Sequence, residues 1–311
     1  AVLGVAGASL DVAEGEIFVL MGLSGSGKST LLRAVNRLNE TARGEVLVST
    51  DGKTVDVASC GDDELRELRM REVAMVFQQF ALLPWRTVEE NVGFGLELAG
   101  VPDAERKERV AEQLKLVSLD QWADRYAHEL SGGMQQRVGL ARAFTTQAPI
   151  LLMDEPFSAL DPLIRTHLQD ELLNLQRELK RTIIFVSHDL DEAMKIGNRI
   201  AIMEDGRIVQ AGTPQDIVLK PANEYVEQFV QHMNPLNVMT GATIMRKLAK
   251  PKKVATGKAA PVMMTPDATM REIIAECWRT GKNVMIGTDG TAVGEVGETE
   301  IYSALINRPT V

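Results

Sequence analysis

The sequence predicts an α/β fold with a small α+β unit at its C-terminal end. Three observations carry this. EIFVLM (16–21) is a short apolar run that passes through a glycine-rich loop straight into LLRAVNRL (31–38), which has helical spacing. ILLM (150–153) and TIIFV (182–186) are further apolar runs ending in polar or acidic residues, as buried strands do where a ligand edge follows. After residue 232 the character changes to Gly, Pro and five lysines, and then to short elements at close spacing.

The chain has 311 residues, 45% hydrophobic and 25% charged, enough for one large domain or two smaller ones with a substantial core. Its formal charge of −9 disfavours nucleic acid as a partner. The charge is uneven: residues 241–311 carry 10 Lys and Arg against 7 Asp and Glu, leaving −12 for residues 1–240. Cys60 and Cys277 lie far apart and read as two free thiols. No apolar run reaches 18 residues, and AVLGVAGASLDV has no basic region before it, so neither a span nor a signal peptide is expected. The opening without Met suggests a chain that starts further upstream.

Gly22-Leu23-Ser24-Gly25-Ser26-Gly27-Lys28-Ser29 matches G-x-x-x-x-G-K-[ST] between a strand and a helix. The glycines let successive N–H groups turn inward on a phosphate, Lys28 brings a charge to the β/γ-phosphates, and Ser29 offers a hydroxyl to Mg²⁺. With Thr30 these residues are the candidate ATP-binding set. PILLMDEP (149–156) supplies the partner acids: Asp154 ends a strand and is placed to hold Mg²⁺, and Glu155 points the other way, where it can polarise a water. His188, at the end of the next apolar strand, is placed to hydrogen-bond a γ-phosphate. His128, His167 and His232 read as structural or solvated.

LSGGMQQR (130–137) is a second anion site of another kind. Ser131 is a good N-cap, and Met134, Val138 and Ala141 follow at helical spacing. Ser131, Gly132 and Gly133 therefore form a helix N-terminus without a lysine or an acid pair. Half a site of this kind is completed when a two-fold dimer sets it against the phosphate loop of a second copy.

The ordered set GLSGSGKST (22–30), VFQQ (76–79), LSGGMQQR, ILLMDEP, SALD (158–161) and the His of VSHDLDEAM resembles the nucleotide-binding subunit of an ABC transporter over roughly residues 1–230. The resemblance implies an α/β P-loop NTPase of ABC type, a mixed sheet core with a helical subdomain at about 79–145. It implies a homodimer with two ATP molecules between chains and Mg²⁺ held by Ser29, Gln78 and Asp154. Glu155 would be the general base, His188 the γ-phosphate switch, and Gln78 a link to the permease. Ser131, Gly132, Gly133, Gln135 and Asp161 would meet the partner copy's ATP site. The resembled family stacks adenine on an aromatic before the phosphate loop, but here Phe18 alone precedes Gly22, inside a buried strand; either the true start of the chain lies further upstream or adenine rests on aliphatics such as Val2 and Leu3.

TVEENVGFGLELAG and AERKERVAEQLKLVSL read as helices. FALLPWRTV (80–88) reads equally as core or as the surface that meets a membrane subunit. Residues 233–260 read as a basic linker. From 261 to 311, MREIIAECW is a helix, NVMIG and TAVGEVG are strands joined at Thr288-Asp289-Gly290, and ETEIYSALI is a helix, an order that resembles one CBS motif. A cassette with such a tail is similar to the ATPase of quaternary-amine importers for glycine betaine, choline or proline. This implies a peripheral ATPase on the cytoplasmic face of the inner membrane, working with an integral membrane permease and an extracytoplasmic substrate-binding protein. The alternatives are an importer ATPase for another small solute and a soluble non-transport ABC ATPase.

Overall fold

The computed structural model describes residues 4–50, 52–231, 236, 239–253 and 261–306, and divides into two compact units, residues 1–211 and 212–311.

The first unit is organised by six strands in one sheet. They are β1 (Ile17–Met21), β4 (Val73–Val76), β5 (Ile150–Asp154), β6 (Thr182–Val186), β7 (Arg199–Glu204) and β8 (Arg207–Gly212), in the order β4-β5-β6-β1-β7-β8. The first five run parallel, with Leu20 beside Val186 and Asp154 beside Val186 from the other side. β7 and β8 are joined by Asp205-Gly206, both at positive φ, which is hairpin-turn chemistry. A separate antiparallel pair is formed by β2 (Leu47–Thr50) and β3 (Lys53–Asp56).

β1 is buried along its whole length, and β5 and β6 at every position but the first, because the sheet is covered on both faces. Phe18, Leu20, Leu32, Leu152, Ile184 and Val186 share one core cluster. Parallel strands so enclosed bring all their C-terminal ends to one edge, and the phosphate loop, Asp154, Glu155 and His188 all follow there.

The expected helical region is present as helices Val88–Val92, Phe94–Leu98, Asp103–Leu116 and Gly132–Thr145. The first starts with a complete Thr87/Glu90 capping box. The last buries Val138, Leu140, Ala141 and Phe144, which fixes its N-terminal turn at the surface. Buried Asn91 accepts from Leu83 N–H and donates to the Leu83 and Thr87 carbonyls, which closes the loop before Val88.

In the second unit helices Pro214–Leu219 and Glu224–Val230 pack against one another. The compact units therefore part at 211/212, not at 232/233. A four-stranded sheet follows, ordered β10-β11-β12-β9, from β9 (Arg246–Lys253), β10 (Met263–Met264), β11 (Val284–Thr288) and β12 (Thr291–Val296). Helices Met270–Thr280 and Glu298–Ile306 complete it around Met270, Ile273, Val284, Ile286, Val296 and Ile301. The hairpin at Thr288–Gly290 is where the turn residues put it, with Asp289 at φ 50° and Gly290 at φ 74°.

The linker reading needs correction. Arg246–Lys253 is an edge strand paired antiparallel with β12. Its lysines are exposed and it carries Pro251, which an edge strand tolerates, so no alternating apolar pattern marked it. Residues 254–260 lie outside the described residues. Among those described, no helix is long and apolar enough to cross a membrane.

Candidate nucleotide site

The phosphate loop has the conformation its glycines predict. Gly22 sits at φ 145°, and a Cβ there would lie 2.2 Å from the Met203 carbonyl oxygen. Gly27, at φ 95°, would bring a Cβ to 2.5 Å from the Gly4 carbonyl. Both positions accept glycine alone. Lys28 is buried and its Nζ donates to the Gly22 and Leu23 carbonyls, each at 2.9 Å. Burial pushes its pKa down, opposed by the nearby charges of Glu155 and Asp154. Ser26 Oγ is buried without a hydrogen-bond partner. A buried ammonium and an orphaned buried hydroxyl in one glycine-rich loop fit an anionic phosphate group. Ser24 and Gly25 are exposed at the loop's tip and Leu23 is exposed beside them; Ser29 and Thr30 are half-buried in the helix that follows.

The two acids at the end of β5 are treated differently by their surroundings. Asp154 is 0% exposed; its Oδ1 accepts from Ser29 Oγ at 2.7 Å and its Oδ2 from Arg33 Nη2 at 2.9 Å. Glu155 turns at positive φ (48°), with its N–H on the Val186 carbonyl at 3.1 Å. Its Oε2 lies 3.2 Å from His188 Nδ1 and 3.4 Å from Gln78 Nε2. Gln78 reaches there from just past β4 and His188 from just past β6. Six of the sequence-predicted residues, Lys28, Ser29, Gln78, Asp154, Glu155 and His188, therefore meet at one sheet edge.

The LSGGMQQR helix opens as expected. Ser131 caps it by accepting from Met134 N–H, and Ser131 and Gly132 are exposed. Gly133 packs on the loop after Glu155, where a Cβ would lie 3.2 Å from the Ala159 carbonyl. Gln135 is turned inward: its Nε2 donates to the Ala127 and Leu130 carbonyls of its own chain. Asp161 is exposed and caps helix Pro162–Leu179 through Ile164 N–H.

An ABC transporter family model matches residues 5–158. The glycine betaine/proline betaine transport ATP-binding protein of Escherichia coli is 57% identical over 245 residues, 79% of this chain and 60% of that one. A trimethylamine N-oxide transport ATP-binding protein of Pelagibacter ubique is 48% identical over 246 residues, 79% of this chain and 71% of that one. A dimeric bacterial ABC transporter cassette superposes with a TM-score of 0.64 at 35% identity, covering 68% of this chain and 90% of that one. The chain belongs to the ABC transporter ATP-binding family. The match spans about 60% of the length of several curated relatives, the betaine protein among them. A second structure similar to this cassette, at TM-score 0.63 and 35% identity over the same shares, is a post-hydrolysis state bound to ADP and phosphate.

Phe18 is fully buried in its strand, as expected, with the Arg199 guanidinium over its ring. Val2 and Leu3 lie outside the described residues, as does His232. His128 stacks on Tyr126, and His167 is exposed on its helix. In the 80–88 region Leu82 and Leu83 are half-buried, whereas Trp85 is 71% exposed, so that side chain is not core.

Three residues that hold the cassette's site escaped the sequence reading. Arg33 fixes the second oxygen of Asp154. Gln136 is 1% exposed; it donates to the Glu155 carbonyl at 3.3 Å and accepts from Ala159 N–H at 3.0 Å. Arg142 donates to the Phe80 and Ala81 carbonyls just beyond Gln78. Burial pushes the Arg142 pKa down. Only Gln136 carried a signal, as a polar residue on the buried face of a helix.

Proposed function

We propose that this chain is the ATP-hydrolysing subunit of an ABC importer for a quaternary amine such as glycine betaine, choline or proline betaine. The meeting of Glu155, His188 and Gln78 beside a complete phosphate loop carries the hydrolysis. Relatives named for transport of betaines, choline and carnitine at 45–57% identity support the substrate class. Lys28 gives up the Gly22 and Leu23 carbonyls to neutralise the β/γ-phosphates. Ser29 and Asp154 would hold Mg²⁺ with Gln78 nearby. Among the described residues no three His, Cys, Asp or Glu form a metal cage, which suits an ion bound through one or two carboxylates and substrate phosphates. When bound, Mg²⁺ supplies charge neutralisation at the phosphates. Glu155 orients the attacking water and takes its proton; His188 fixes the Glu155 carboxylate and faces the γ-phosphate.

Two copies sandwich two ATP molecules, with Ser131, Gly132 and Gly133 of each meeting the other's γ-phosphate and Asp161 beside them; the dimeric form of a similar cassette supports this. ATP favours the closed dimer by binding it better than the open one, and that difference drives a membrane permease on whose cytoplasmic face the subunit sits. Trp85 stands where the permease would dock. The C-terminal β-α-β-β-α unit is a single CBS-like motif. The test is ATP turnover by the chain reconstituted with its permease and with binding protein loaded with glycine betaine, choline or proline betaine. Stimulation by one loaded ligand is expected; turnover indifferent to all three removes the quaternary-amine assignment.

A further inference from the structure

The catalytic carboxylate belongs to a backbone that needs holding. Glu155 sits at φ 48°, a strained conformation for a residue with a side chain, which persists only where the surroundings hold it. Its N–H is fixed by β6 through Val186. Its carbonyl accepts from Ser158 Oγ at 3.0 Å, within the same loop, and from Gln136 Nε2 at 3.3 Å, from another element. The other end of the Gln136 amide takes Ala159 N–H at 3.0 Å. One buried side chain thus spans the loop from Glu155 to Ala159, both of its polar ends used on backbone groups of that loop.

That side chain rides on helix Gly132–Thr145, one turn from Ser131 and Gly132. Gly133 of the same turn lies against the Ala159 carbonyl too closely for a larger residue without a shift. The helix end that would meet the partner copy's nucleotide and the loop that carries this chain's own Glu155 are joined at two adjacent points. We infer that Gln136 is a positioning residue for hydrolysis, setting the Glu155 backbone from the LSGGMQQR helix so that anion binding at that helix end aligns the carboxylate of the same chain. The inference rests on the ATPase reading above.

The test uses the full chain with its permease and reads kcat, KM for ATP, affinity for a fluorescent ATP analogue and the melting midpoint. Gln136→Met matches the side chain in length and removes both hydrogen bonds. Gln136→Glu keeps the acceptor for Ala159 N–H and loses the donor to the Glu155 carbonyl. Leu140→Ala, on the buried face of the same helix, is the packing control. A displaced catalytic group costs on the order of ten- to a hundredfold in rate, so both Gln136 variants are expected to lose kcat by that factor with KM and analogue affinity within about threefold of wild type. Leu140→Ala is expected to melt earlier and keep its kcat at temperatures where it is folded. Unchanged kcat in Gln136→Met, or a loss matched by lost analogue binding, overturns the inference while leaving the ATPase reading intact. If Gln136→Met does not accumulate as folded protein, Gln136→Glu decides by the same criteria. Absence of turnover in the wild-type chain overturns both.

Discussion

Replacing Glu155 by Gln isolates the proton acceptor from the rest of the site. The amide has the carboxylate's shape, and Gln78 Nε2 and His188 Nδ1 both approach one oxygen, Oε2, at 3.4 and 3.2 Å, so an amide oxygen in that place keeps both contacts while the NH₂ takes the other position. The Glu155 backbone bonds to Val186 and Gln136 do not involve the side chain. Lys28 loses one of the two carboxylates that offset its burial, which leaves the ammonium in greater need of an anion. ATP affinity should therefore hold or rise. Turnover should fall by about a hundred- to ten-thousandfold, the usual worth of a positioned base. At about 1.4 kcal/mol per tenfold this is roughly 3–5 kcal/mol of barrier. Steady-state phosphate release measures kcat, and size-exclusion chromatography with and without ATP measures the closed dimer, which should persist in the variant. A kcat within tenfold of wild type would refute Glu155 as the base; loss of ATP binding would refute the claim that its role is confined to chemistry.

Gly22→Ala forces a Cβ to 2.2 Å from the Met203 carbonyl at φ 145°, and should lower stability by at least about 2 kcal/mol in urea titration together with loss of ATP binding. An unchanged urea midpoint would show that the loop has room it lacks in this structure. Glu192 is buried between Ser187 Oγ and Gln169 Nε2, and burial raises its pKa above the usual 4.5. The folded state therefore binds this proton more tightly than the unfolded chain, and the associated stability is full below about pH 4.5 and lost as pH rises. Glu192→Gln should thus gain on wild type in urea midpoint between acid and neutral pH; a difference independent of pH contradicts this. Trp85→Ala removes a side chain that is 71% exposed, so melting and basal turnover should stay near wild type while stimulation by permease and loaded binding protein is lost. Retained stimulation would place the docking surface elsewhere.

Much of the site was legible because its chemistry is local in sequence. Nine consecutive residues, 22–30, hold the phosphate loop, and the strands that deliver Asp154 and His188 are plain apolar runs with polar ends. What escaped is what long-range packing decides. Arg33 lies in an ordinary helical pattern, and only the β1–β6–β5 order brings it to Asp154. Gln135 and Gln136 are adjacent and chemically identical, yet one serves carbonyls at 127 and 130 and the other the Glu155 loop, a difference set by helix phase against two separate neighbours. β9 was hidden for the opposite reason: as an edge strand it buries little besides Leu248, so its lysines spoke louder than its pairing with β12.

The division of labour between two adjacent acids follows from counting what each already holds. Asp154 gives both oxygens to fixed donors at 2.7 and 2.9 Å in a place water does not reach, so its position is determined before any ligand arrives. In the proposed function such a group holds a cation that Ser29 shares, and it has no freedom left to fetch a proton. Glu155 has a determined backbone and a loosely held carboxylate, its two contacts long and both made through one oxygen. Precision at the Cα with latitude at the carboxyl is what a base needs if it is to close on a water only when the site is assembled. The same distinction explains why helix Gly132–Thr145 grips backbone at both ends of its reach, the Glu155 carbonyl through Gln136 and the Phe80 and Ala81 carbonyls through Arg142. A helix that moved would carry the Gln78 and Glu155 segments together, as the proposed switch between open and closed dimers requires.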